Sequence, residues 1–457
     1  MAFGDKLRAL MAERQVGLRE LAKLVPCDPG HLSKVSRGRK RPSAKLVERL
    51  DELLDARGEL IALTPRPTGR PTGDDPADPA LWAPERVVED IARTTLADLS
   101  VTRRDAGKQV GALLVGAALT EQLEPWITQA GRPASPRRKS TVGLEEVERI
   151  EAWTRLLRHW DSRFRLGIRR KAVIGQLNEV ADLLSTPQGA EVTRRLFAVL
   201  AELAKVAASM SFDAGQHPVA QRYYRLSLRA SHAAGDRMFG ANILGAMARQ
   251  MLDLHRPDDA LDLVRLALDG VRGDTPGRVR AMLRTREGWA YAQMGRVQAF
   301  HRTVAIAEEE FGADSGRPMP YWVTRFDQAE LAGVIGARYR DLALARARAG
   351  ADHRAIARRS VEYITTALQL RPPQRLRNRA FDLVGLGRAC LLVDEREQAA
   401  QAVREAARIC GTIRSGRVRR RLGDFYAESA RYADASVIAD VRAELKDRFH
   451  NDMKEHA

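Results

Sequence analysis

The stretch DPGHLSKVSRGRKRP, from Asp28 to Pro42, has the grammar of a short helix followed by a basic loop. Asp28 is a good helix N-cap, and Pro29 suits the first helical position, where its missing N–H has no partner to lose. Gly38 can stop the helix, and Pro42 lies just beyond it. At about 100° per residue, Leu32, Val35 and Ser36 share one face. Gly30, Ser33, Lys34 and Arg37 share the other, with His31 at the border. One face is expected to bury while the other presents donors beside the gap left by Gly30. Arg39, Lys40 and Arg41 add three cations suited to phosphate oxygens. A solvated basic helix end has the same composition, so the neighbouring segments decide between the two.

Those neighbours form a compact helical head. Leu7, Leu10 and Met11 give a first apolar stripe, and Leu18, Leu21, Ala22 and Val25 a second. Pro26 and Cys27 make the turn before Asp28. Leu46, Val47, Leu50, Leu53 and Leu54 give a further helix, and Leu60 to Leu63 close the domain. Short helices with Ala22 at the crossing and a tight turn before Asp28 suit a helix-turn-helix. Leu21-Ala22, Asp28-Pro29, Leu32-Ser33, Val35, Arg37-Gly38 and Pro42 resemble the Xre/Cro-type helix-turn-helix family, over roughly the first 63 residues. Leu18, Pro26 and Ser36 depart from that family's usual residues. The resemblance implies binding to double-stranded DNA, with Gly30, His31, Ser33 and Lys34 facing base edges. It also implies that Arg19, Arg37, Arg39, Lys40 and Arg41 meet the backbone.

The chain has 457 residues, long enough for two or three domains, and a formal net charge of +17 that suits a polyanionic partner. Its three cysteines, Cys27, Cys390 and Cys410, form neither a disulfide framework nor metal-ligand spacing, which points to a reducing, cytoplasmic setting. Met1 to Glu13 reads as a charged amphipathic helix, so no signal peptide is expected. The most apolar run, VGALLVGAAL at Val110 to Leu119, is too short to span a bilayer and is expected as a buried helix.

Residues 1–63 are thus expected as the head and the Pro- and Gly-rich residues 64–80 as a semi-rigid linker. Residues 81–142 are expected as a helical connector with a second linker, and residues 143–457 as a helical repeat domain. The overall expectation is an all-α fold, a helix-turn-helix domain plus an α-solenoid. Helix pairs recur in the body, each with a turn followed by an alanine: Gly215 to Ala220, His255 to Ala260, Gly295 to Ala299, Gly350 to Ala355 and Asp394 to Ala399. The alanines are spaced 40, 39, 56 and 44 residues apart, so an insertion is expected around Phe311 to Tyr321. Such pairs should stack into a superhelix. Gly288-Trp289-Ala290-Tyr291 with Gly295-Arg296 resembles a tetratricopeptide repeat. A head of this kind on a repeat body is similar in build to Gram-positive peptide-sensing regulators and to a large set of actinobacterial regulators.

No phosphate-binding glycine loop, HExxH, CxxC or GxSxG occurs, the nine histidines are scattered, and neither an enzyme nor a cofactor is expected. The expected function is a sequence-specific DNA-binding transcription regulator whose body senses a peptide, a small molecule or a protein. The alternative is a protein–protein scaffold with accessory DNA binding. A homodimer is expected, because one head covers only part of a helical turn of DNA. In the tetratricopeptide resemblance the first helix of each pair lines the concave face. That places Asn242, Arg249, Asp253, Trp289, Gln293, Arg340 and Arg388 inward, with Glu202, Lys205 and Ser209 in an earlier repeat. Amides and guanidinium forks there suit a peptide backbone or a carboxylate, and Trp289 suggests an exposed apolar platform.

Overall fold

The computed structural model describes residues 3–14, 16–18, 20–21, 25, 29–36, 50, 53–54, 56, 79–100, 113–128, 142–159, 166–271, 273, 275–313, 318–413 and 415–454. Among the described residues all regular structure is helical. The chain divides into two units, Met1–Asp75 and Pro76–Ala457.

In the first unit, α1 (Phe3–Glu13) packs against α2 (Pro29–Ser36). The spacing of apolar residues explains why. Leu7 and Leu10 lie three apart on α1, and Leu32 and Val35 three apart on α2, so each helix offers one stripe. These four bury with Leu21, Val25, Leu50, Leu54 and Ala56, while Met11, Val16 and Leu18 pack at the edge.

The second unit opens with a 3-10 turn at Pro79–Trp82 and then α3 (Pro84–Ser100), which lies against helices α7 (Leu166–Ser185) and α9 (His217–Ala233). The two connections are polar and specific. Asp98 accepts from Arg170 of α7 at 3.0 Å and from the Tyr223 phenol of α9 at 2.7 Å. Asp90 accepts from Arg229 of α9 at 2.9 Å. Apolar Leu81, Trp82, Val87, Val88 and Ile91 join the same core as the helical pairs that follow.

The run Val110 to Leu119 differs from the single buried helix expected of it. Leu113 to Val115 are not helical, and helix α4 (Ala117–Leu123) starts only after Gly116 at φ 61°. The reason is a set of side chains distant in sequence. Gln221 takes both backbone groups of Leu114, and Asp259 accepts from the Gly116 N–H at 2.9 Å. These polar partners replace the bonds a helix would have made internally. Short helix α5 (Pro125–Thr128) follows, and its Trp126 is fully buried against Gly240 and Gly270.

After α6 (Leu144–His159) and α7, helical hairpins follow one another. They pair α8 (Ala190–Asp213) with α9, α10 (Arg237–Asp253) with α11 (Pro257–Gly270), and α12 (Gly277–Gln293) with α13 (Val297–Gly312). Two more pair α14 (Gln328–Arg348) with α15 (Arg354–Leu370) and α16 (Leu376–Leu392) with α17 (Arg396–Ile413). The five hairpin turns share one device. Gly215, His255, Gly295, Gly350 and Asp394 all have φ between 57° and 76°. In each, the next N–H bonds back to a carbonyl in the last turn, as Gln216 does to Ser211 at 2.9 Å and Glu395 to Cys390 at 3.0 Å. This six-to-one closure satisfies a carbonyl left open at the helix end. After the turn, Ala220, Ala260 and Ala399 are fully buried, as small residues at a tight crossing. Ala299 and Ala355 are not. In those hairpins the buried positions are Phe300 and Ala357, because the second helix enters at a shifted register.

The first helices of the hairpins stack in order, α10 on α12, α12 on α14 and α14 on α16. Between α13 and α14 the described residues 313 and 318–327 are not helical, and Val323 and Phe326, just beyond the expected insertion, are buried. Helix α18 (Gly416–Glu428) packs on α16, and α19 (Ser436–Lys454) covers α17. Arg417 of α18 reaches Asp213 of α8 at 3.6 Å, so the row of inner helices returns to its own beginning.

Candidate nucleic-acid interface and inner face

Helix α2 carries the expected division of faces where its side chains are described. Leu32 and Val35 are buried, and Ser36 is only 3% exposed, its hydroxyl donating to the Ser33 carbonyl at 3.1 Å. Ser33 itself is half-exposed. Gly30, His31 and Lys34 lie within the helix; the side chains of His31 and Lys34 are outside the described residues. Arg19, Arg37, Arg39, Lys40 and Arg41, the expected backbone contacts, also lie outside them, as do Asp28 and Gly38.

One residue in this unit was not foreseen. Arg8 of α1 donates to the Ser36 carbonyl at the C-terminal end of α2. A cation there meets both an open carbonyl and the negative end of the helix dipole. The only trace in the sequence is a basic residue on the exposed side of α1.

In the second unit the expected inward residues are scattered among structural roles. Asn242 is buried in α10. Arg249 and Asp253 form a loose ion pair at 4.0 Å, and Arg249 also lies over the Phe212 ring. Gln293 donates to the Leu252 carbonyl at 2.9 Å, joining α12 to the last turn of α10. Arg340 is held by Asp341 at 2.6 Å and Arg388 by Glu428 at 2.5 Å. In the earlier repeat, Lys205 lies over Phe239, Ser209 is 3.5 Å from the Tyr224 phenol, and Glu202 is half-exposed. Trp289 is no open platform: it is 8% exposed, and the guanidinium of Arg338 covers its ring at 3.6 Å.

That stacking draws attention to arginines that sequence reasoning passed over. Burial pushes the Arg338 pKa down to about 9, against the pull of Asp341 and with the charges of Arg340, Arg421 and Arg286 adding to it. Burial and then Arg249 push Arg286 to about 10. Burial and Arg249 do the same to Arg417. Burial works against the ionised form of Asp341, yet Arg340 and Arg338 outweigh it and hold that carboxyl at about 2. Acids stand beside most of these arginines: Asp253 pairs with Arg249, Asp341 with Arg338 and Arg340, and Asp213 with Arg417.

Residues 2–63 match the family model described as a helix-turn-helix domain. In comparisons with curated proteins and with solved structures, nothing matches. With α1 packed on α2 as found, the first unit is a helix-turn-helix domain, a class built to place its recognition helix on DNA. The second unit is an all-helical body of stacked hairpins. Among the described residues no helix is long and apolar enough to cross a membrane.

Proposed function

We propose that the protein is a sequence-specific DNA-binding transcription regulator of the Xre type, with its tetratricopeptide-like body sensing a ligand. The observation that carries this reading is the helix-turn-helix match at residues 2–63, together with an α2 that buries Leu32, Val35 and Ser36 and turns Ser33 outward. A net charge of +17 supports a polyanionic partner. In this reading Lys34 and His31 contact bases, while Arg19, Arg37, Arg39, Lys40 and Arg41 bind phosphates. Two heads bind half-sites about 34 Å apart, and the body holds the homodimer together. Gel shifts on the chain's own promoter region and on random duplex of equal length test the proposal. A regulator prefers its operator by about three orders of magnitude or more. Equal affinity for both at physiological salt removes the sequence-specific role.

A further inference from the structure

We propose that a small cavity between α14, α16 and the 3-10 turn Ser429–Tyr432 binds a single monatomic halide anion, held by the Nη1 atoms of Arg340 and Arg388. This goes beyond the reading above and does not rest on it.

Three observations carry the site. The first is how the two arginines are held. Arg340 and Arg388 are each 7% exposed. Arg340 gives its Nε and Nη2 to Asp341 at 3.2 and 2.6 Å, and Arg388 gives the same edge to Glu428 at 2.7 and 2.5 Å. In both, Nη1 lies on the opposite edge. Among the described residues the Arg340 Nη1 makes no hydrogen bond. The buried Nη1 of Arg388 makes none either, and it lies 3.6 Å from Asp424.

The second is convergence. Both arginines line one cavity, together with Leu344, Leu391 and Leu392. Arg340 comes from α14 and Arg388 from α16, and these two helices touch. A Cβ built at Gly385, one turn before Arg388 on the same face of α16, would lie 3.6 Å from the Arg340 Nη1. The Arg340 Nη1 therefore rests against α16 at the turn that leads to Arg388. The cavity measures about 10 Å³, room for one water-sized sphere.

The third is charge. Arg338 and Arg340 share Asp341, while Arg388 and Arg421 meet Asp424 and Glu428. Arg431, exposed at the cavity's rim, lies over the Tyr432 ring. It has no carboxylate within ion-pair distance among the described residues. These five arginines stand against three acids, so two positive charges are left over.

Water suits this lining poorly. It can accept from the Nη1 donors, but the leucines offer no acceptor for its own protons. Glu428 also lines the cavity, yet both its oxygens already accept from the other edge of Arg388. An anion accepts from every donor and offsets the repulsion between two shielded guanidiniums. The volume admits one atom of that size rather than a carboxylate or phosphate group.

Chloride NMR line broadening on the full chain tests the site, with gluconate holding the ionic strength constant. The expected result is broadening that saturates at one chloride per chain, above the gradual response of exposed cations. Arg388→Gln should weaken the saturable part about tenfold. Arg431→Gln should weaken it about twofold, as for an exposed charge. Leu344→Phe fills the cavity and leaves every arginine in place, so it should abolish the saturable part even if Arg388→Gln fails to fold. No saturable broadening in the parent overturns the site, and so does an unchanged titration in folded Leu344→Phe protein. Crystals of the parent grown in bromide need no variant. They should show one anomalous peak touching both Nη1 atoms; a water-sized peak there without anomalous signal overturns the anion.

Discussion

Gln221 holds the backbone of Leu114 on both sides. Its Oε1 accepts from the Leu114 N–H at 2.7 Å, and its Nε2 donates to the Leu114 carbonyl at 2.8 Å. A side-chain amide here does what a neighbouring strand does in a sheet, and it ties the segment before α4 to α9. Replacing Gln221 by Leu leaves two shielded backbone groups without partners. The expected loss is roughly 1–3 kcal/mol per orphaned group at most, since water can reach a partly buried segment. Urea titration of the parent and Gln221→Leu proteins measures it. An unchanged midpoint would mean that the tie contributes nothing.

Trp126 gives a prediction of sign. A Cβ at Gly240 or Gly270 runs into its indole ring. Alanine normally improves on glycine in a helix, by about 1 kcal/mol at an interior position such as Gly240 and less at a helix end such as Gly270. At these two positions the clash reverses that, so Gly240→Ala and Gly270→Ala should destabilise. Trp126→Ala should cost about 3–5 kcal/mol, as expected for a large aromatic removed from a core. In the double variant Gly240→Ala with Trp126→Ala the glycine penalty should vanish, which thermal melts of the four proteins read directly.

Asp382 makes stability depend on pH. Arg371 serves two acids, Asp382 at 2.5 Å and Glu330 at 2.9 Å. Burial raises the Asp382 pKa from 3.8 to about 7, against the pull of Arg371 and with Glu330's charge adding to the rise. Between those values the folded state keeps a proton that the unfolded chain has released. This group's contribution is therefore full below pH 3.8 and declines as pH rises to about 7. Asp382→Asn should abolish that decline while keeping an acceptor for Arg371. Denaturation midpoints of both proteins across the window should diverge as pH rises; parallel curves refute the titration.

In the head, Lys34→Ala should relax base preference by about 1–3 kcal/mol at one position of the operator. Arg39→Ala and Lys40→Ala should weaken all duplexes nearly equally and flatten the dependence on salt. Arg8→Ala should act differently again, lowering the head's stability by loosening the end of α2 at the Ser36 carbonyl. Fluorescence anisotropy over a salt series, with melts of each variant, separates the three behaviours. Lys34→Ala binding its operator as tightly as the parent would sink the recognition-helix assignment.

What the sequence determined by itself was local. Leu32, Val35 and Ser36 bury together because residues three and four apart share a helix face, a property of the chain alone. The hairpin turns at Gly215, His255, Gly295, Gly350 and Asp394 were legible for the same reason, since a left-handed residue closing a helix is a near-neighbour event. Tertiary structure decided the rest. It unwound Leu113 to Val115 because Gln221 and Asp259 offered better partners, and it moved the buried position from Ala299 to Phe300. It covered Trp289 with Arg338 and committed Gln293 and Arg388 to packing. Periodicity tells which residues face inward. Which of them meet depends on how successive hairpins rotate and where α18 returns, and those are set by contacts such as Arg417 with Asp213 between residues far apart along the chain.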